Sequence, residues 1–111
     1  MVATFEDFLK LDVRVGTIIE ASELEKARVP AYKLKINFGD EIGVKQSSAQ
    51  ITKRYDAANL PGRQVIAIVN FPPRRVAGFK SEVLVLGGMP GEGDVVLLNI
   101  DEPIANGTKI G

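Results

Sequence analysis

A chain of 111 residues has room for one domain, here residues 1–111, and its composition of 45% apolar and 25% charged residues is that of a folded globular protein, not a disordered one. With no cysteine and no histidine, the sequence excludes disulfides, thiolate metal sites, thiol nucleophiles and the commonest general base. The formal net charge of zero hides an uneven distribution, because eleven basic residues lie between Lys26 and Lys80 against three acids, Asp40, Glu41 and Asp56; a basic face suited to phosphates or acidic segments is expected.

The opening residues contain Glu6 and Asp7 and lack the basic start and apolar run of a secretory signal. No stretch approaches the roughly 18 apolar residues of a membrane span. A cytoplasmic location without membrane insertion is therefore expected. Thr4 and Asp7 have capping-box spacing, and Phe5, Phe8 and Leu9 follow at i, i+3, i+4, so residues 1–10 should hold a short amphipathic helix. Its apolar face packs either on its own barrel or on a second copy of the chain.

Val13, Val15, Ile18 and Ile19 make a first strand interrupted by Gly16. From Ala31 to Phe38 the alternation is clearest: Tyr32, Leu34, Ile36 and Phe38 share one face, and Lys33, Lys35 and Asn37 the other. A turn at Phe38 to Glu41 leads into a second hairpin strand through Ile42 and Val44. Ser47 and Gln50 again have capping-box spacing, and Ile51, Tyr55 and Ala58 predict a helix from about Ser48 to Asn59, stopped by Pro61 and Gly62. Val65 to Val69 reads as a buried central strand. The stretch from Phe71 to Lys80 is expected as a loop, since Pro72 and Pro73 remove ladder donors. Val83 to Leu86 and Val95 to Leu98 are strands joined by a turn-rich connection, Gly87 to Gly93, and the tail 99–111 carries Ile104 and Ile110. This element order predicts an all-β fold: a five-stranded Greek-key OB-type barrel, with a short helix between strands three and four and extensions at both ends.

On such a barrel the outer face of strands two and three and the neighbouring loops form the usual binding surface. The polar candidates there are Lys33, Lys35, Lys45, Gln46, Asn70, Arg74, Arg75, Lys80 and Ser81. Phe71, Pro72 and Phe79 bracket the two arginines as stacking platforms for bases or as slots for peptide side chains, or else close the mouth of the barrel. The Gly87 to Gly93 cluster lacks the Gly-Lys-Ser/Thr of a phosphate loop, and adjacent Asp101 and Glu102 point to opposite faces of an extended chain. No catalytic residue, metal or cofactor is expected, and the reading is a binding module, not an enzyme.

Four stretches, Asp12-Val13-Arg14-Val15-Gly16, Ala31-Tyr32-Lys33-Leu34, Val69-Asn70-Phe71-Pro72-Pro73 and Gly78-Phe79-Lys80-Ser81, resemble in order and spacing the tRNA-binding OB domain appended to methionyl- and phenylalanyl-tRNA synthetases. Within that superfamily, the run from Lys45 to Thr52, Asn70-Phe71-Pro72-Pro73-Arg74-Arg75, and the run from Lys80 to Gly87 are similar to the branch of CsaA secretion chaperones. The resemblance implies a cytoplasmic homodimer that binds unfolded or pre-secretory polypeptides and the export translocase motor. It also implies a dimer interface formed by the N-terminal helix and the tail, with Phe5, Phe8, Leu9, Ile104 and Ile110. The tRNA-binding members carry Ser-x-Gly-Met where Ser81 is here followed by Glu82, Val83 and Leu84. Polypeptide binding is thus the first expectation, and tRNA binding through the same cations the alternative.

Overall fold

The computed structural model describes residues 1–111 and is built on a five-stranded antiparallel sheet curled into a nearly closed barrel. A short helix α1 (Phe5–Leu9) leads into strands β1 (Val13–Glu23) and β2 (Tyr32–Asn37), a one-turn helix α2 (Gly39–Ile42), and β3 (Val44–Ala49). After a 3-10 turn at Ala57–Asn59 come β4 (Gln64–Ile68), the paired β5 (Arg74–Val76) and β6 (Phe79–Ser81), β7 (Leu84–Val85), and the paired β8 (Gly87–Gly91) and β9 (Asp94–Leu97). The barrel sheet has the order β3-β2-β1-β4-β7. No helix is long and apolar enough to cross a membrane.

The long β1 curls the sheet because its two halves serve different neighbours. Val13 to Thr17 pair with β4, Thr17 to Glu23 pair with β2, and the register slips between Ile18 and Glu20; such an irregularity bends a strand and raises its twist. Gly16 sits where the strands come closest, for a Cβ there would stand 2.7 Å from Ile36 Cγ2 and from the Phe38 ring. The predicted alternation of β2 holds: Tyr32, Leu34 and Ile36 are buried, Lys33 and Lys35 exposed. With Ile18, Phe38, Val65 and Ala67 the inward residues form one core.

A smaller cluster, Val13, Ile66 and Ile68, lies outside the barrel beneath Leu11, Leu86, Ile100 and Ile110. β4 is therefore buried on both faces, as its β-branched run predicts. The tail covers this cluster by pairing with the half of β1 that β2 leaves free: Gly107 N–H donates to Val15 C=O at 2.7 Å, Val15 N–H to Thr108 C=O at 3.0 Å, and Ile110 N–H to Val13 C=O at 2.8 Å. Arg14 secures it, donating to Gly107 C=O at 3.0 Å while its guanidinium also grips Asp12.

Four expectations need correction. Ile42, read as part of the second hairpin strand, ends α2, and β3 begins only at Val44. The helix predicted over Ser48 to Asn59 is replaced by the end of β3, an irregular segment and the single 3-10 turn. Ser47 and Ser48 pair with Leu34 and Lys33, and the Ser47 hydroxyl donates to Val83 C=O at 3.1 Å instead of capping a helix. The connection Gly87 to Gly93 is largely strand, because glycine at Gly87 lets two backbones approach where a Cβ would meet Val95 Cγ1 at 2.6 Å. Pro90, which has no N–H, falls in the register slip between Gly88 and Gly91. The loop from Phe71 to Lys80 contains a two-stranded hairpin, turned at Ala77 (φ 50°) and Gly78 (φ 80°), whose prolines precede the ladder.

Gly16→Ala should destabilise the fold by about 1–3 kcal/mol through overpacking, whereas Gly91→Ala, where a Cβ meets nothing within 4 Å, should change it by less than about 0.5 kcal/mol. Urea denaturation of the two variants checks the contrast.

Candidate functional site

The two ends of the sheet meet through a short set of hydrogen bonds. Glu82 N–H donates to Gln46 C=O at 2.8 Å, Gln46 N–H to the Glu82 carboxylate at 3.0 Å, and the Gln46 side-chain amide to Lys80 C=O at 3.0 Å. Ser48 N–H donates to the buried Ser81 Oγ at 3.0 Å. Gln46 and Ser81, expected on the binding surface, thus hold the barrel shut. Asn70 is committed as well: its Oδ1 accepts from Asp12 N–H and its Nδ2 donates to Lys10 C=O, both at 2.8 Å, which fixes the start of β1 beneath α1.

The remaining candidates divide around the β5–β6 hairpin. Lys33, Lys35, Gln46 and Phe79 line a shallow pocket of about 270 Å³. Lys35 there meets Glu20 at 3.2 Å, an exposed pair of small energetic weight. Phe71, Pro72, Arg74, Ser81 and Glu82 line a second pocket of about 220 Å³. Lys45, Arg75 and Lys80 line neither, and Arg75 donates to Gly78 C=O at 3.1 Å across the hairpin turn. Of the residues assigned to a dimer interface, Phe5, Phe8, Leu9 and Ile104 remain exposed, while Ile110 packs into its own chain.

The largest hollow is one the sequence did not disclose. A cleft of about 660 Å³ opens between the β1–β2 loop at Lys26 to Val29, the end of β3, the β5–β6 turn and the β7–β8 segment. Thirteen of its nineteen lining residues are hydrophobic, among them Val29, Leu84, Met89 and Val95, so its interior favours apolar side chains. Its only charged lining groups are Lys26, Arg28 and Arg74. These residues come from distant segments with no shared periodicity. The only sequence signal was the run of isolated hydrophobics, such as Val29 and Met89, set in polar or turn-rich surroundings.

One wall of the cleft is braced from behind. Tyr55 Oη accepts from Leu97 N–H at 3.0 Å, Tyr55 C=O accepts from Tyr32 Oη at 2.7 Å, and Arg54 clasps Asp94 with a second contact of 2.8 Å. The Arg54 guanidinium holds the Asp94 carboxyl below its ordinary 3.8, and Asp94 in turn raises Arg54. A carboxylate with a depressed folded-state value contributes stability that is present above its unfolded value and lost as pH falls through the folded one. Asp94→Asn should therefore be clearly less stable than the parent at about pH 7, with the gap closing as pH falls below the ordinary carboxylate value of 3.8; urea melts above and below that value check this.

Residues 13–109 match the family model described as "Putative tRNA binding domain", and the chain belongs to that family. Within it, the chain is similar to the chaperone CsaA of Bacillus anthracis, with a TM-score of 0.95, 63% identity and full coverage of both chains. It is similar also to the CsaA chaperone protein of Picrophilus torridus, with a TM-score of 0.92 and 52% identity over 99% of this chain and 100% of that one. The methionine–tRNA ligase of Porphyromonas gingivalis is 35% identical over 106 residues, which is 96% of this chain and 15% of that enzyme. The chain spans about 15% of the length of the methionine–tRNA ligases it matches.

Proposed function

We propose that this protein is a dimeric, cytoplasmic, export-related chaperone that binds unfolded or pre-secretory polypeptides and passes them to the export translocase motor, performing no chemistry of its own. The observation that carries this reading is the apolar cleft with a purely cationic rim. Full-length similarity to two CsaA chaperones supports it. Apolar side chains entering the cleft gain about 25 cal/mol per Å² removed from water, and ordering an unfolded segment offsets much of that gain, so binding should be weak and broad. Dimerisation rests on Phe5, Phe8 and Leu9 of α1, a helix with no buried residue, together with exposed Ile104.

A second reading is favoured by the family and by the methionine–tRNA ligase relatives. Exposed Lys33, Lys35, Arg74, Arg75 and Lys80 would neutralise tRNA phosphates. With Asn70 and Ser81 held inside the chain, the cations would carry that binding alone.

Parallel titration with an unfolded preprotein and with bulk tRNA separates the two. Between about 50 and 200 mM salt, preprotein affinity should fall less than about threefold and tRNA affinity at least about tenfold. Val29→Asp/Met89→Asp should weaken preprotein binding at least about tenfold by placing carboxylates in the apolar cleft. Binding of tRNA alone, abolished by Arg74→Ala/Arg75→Ala, would make RNA the ligand.

A further inference from the structure

We propose that the cleft takes its polypeptide as an added β-strand, inserted between the free edges of β3 and β7 so that it completes the barrel; this rests on the chaperone reading of the cleft. β3 and β7 are the two ends of the five-stranded sheet. They are stitched together only as far as Ser48 on one side and Val83 on the other. The chain bends at Val83, and beyond it no hydrogen bond joins Ala49 and Gln50 to Val85 and Leu86. The gap between these edges is part of the cleft.

Both edges present unused backbone groups to that gap. Leu84 pairs with Ile68, and Leu86 N–H donates to Ile66 C=O at 2.9 Å, so the N–H and C=O of the intervening Val85 face away from β4. On β3, Gln46 and Ser48 turn their N–H groups to the closure, and alternation sets Gln50 on the same side. A strand laid between them would form hydrogen bonds along both of its edges, the geometry of strand addition. The two non-glycine residues with positive φ, Lys26 at 67° and Ala77 at 50°, both line this cleft. Such conformations persist where the surroundings over-determine them, and they collect at ligand clamps.

The lining also fixes the chemistry of the occupant. Alternate side chains of an inserted strand would point inward toward Ile51, Val95 and Leu97, and these should be apolar. The cations Lys26, Arg28 and Arg74, with no acidic lining residue to neutralise them, call for a carboxylate on the strand near the rim. The substrate is therefore an extended segment alternating apolar with polar residues and carrying an acidic one.

The test uses a synthetic peptide of about eight residues, Val or Leu alternating with Thr and one Asp, the length of an ordinary strand. Two further versions carry paired amide-to-ester replacements at odd or at even positions, which remove N–H donors and leave the side chains unchanged. Each ester pair should weaken binding about tenfold, exchange of Asp for Lys should also weaken it, and the bound peptide should protect the Gln50 and Val85 amides from hydrogen exchange. Equal binding of all three backbones, still lost in Met89→Asp, would overturn strand insertion and leave the chaperone reading intact. Loss with only one ester set would mean addition to a single edge, which overturns completion of the barrel. Failure of the peptide beside binding of an unfolded preprotein would overturn the assigned substrate pattern, and failure of both would overturn the chaperone reading itself. Conversion of a dimer to monomer by Met89→Asp would assign the cleft to a second copy of this chain and overturn the proposal.

Discussion

The Ser47 hydroxyl donating to the Val83 carbonyl at 3.1 Å marks the limit of the closure between the first and last strands of the sheet, and the rest of the molecule depends on where that closure stops. Beside it, Gln46 pairs with Lys80 and Glu82, and Ser48 with Ser81, through backbone and side-chain groups in a part of the seam too irregular for a continuous ladder. After it, the bend at Val83 takes β7 back toward β4, and no hydrogen bond joins Ala49 and Gln50 to Val85 and Leu86. A buried serine is costly unless its hydroxyl is paired, so the polar residues here are fixed by the architecture. The barrel is closed at one end of the seam and open at the other, and the opening is the cleft.

Features that look local set the packing of the whole barrel. Gly16 admits Ile36 and Phe38 against the backbone of β1. Gly87 admits Val95 and Val96 against β8, which brings the β8–β9 hairpin close. Tyr55, Arg54 and Asp94 then hold this hairpin from outside the cleft. The tail adds a different kind of support, covering Ile66 and Ile68 on the outer face so that β4 stays central on both sides.

The sequence disclosed those parts whose signal is periodic. The alternation of Tyr32, Leu34 and Ile36, the β-branched run of β4 and the capping box at Thr4 and Asp7 each became the element they predict. Spacing misled at Ser47 and Gln50, because the serine that would cap a helix bonds across the barrel to a residue far away in the chain. The glycine read as a turn residue at Gly87 instead permits close strand packing. For the site, residue type located exposed cations such as Lys33 and Arg74 but not the commitments of Gln46, Asn70 and Ser81, whose partners are backbone groups and leave no trace in composition. The cleft was illegible for the same reason: its walls converge only through the barrel topology.

A module that presents an apolar hollow with a cationic rim, on a barrel left open along one seam, is suited to hold extended chain without a fixed sequence. The most direct measurement of this claim is methyl-resolved NMR of the protein titrated with an unfolded preprotein. The account requires the largest shifts at the methyls of Val29, Leu84, Val85 and Met89. Shifts confined to the surroundings of Lys33 and Lys35, or to Phe5, Phe8 and Leu9 of the N-terminal helix, with the cleft methyls unmoved, would contradict it.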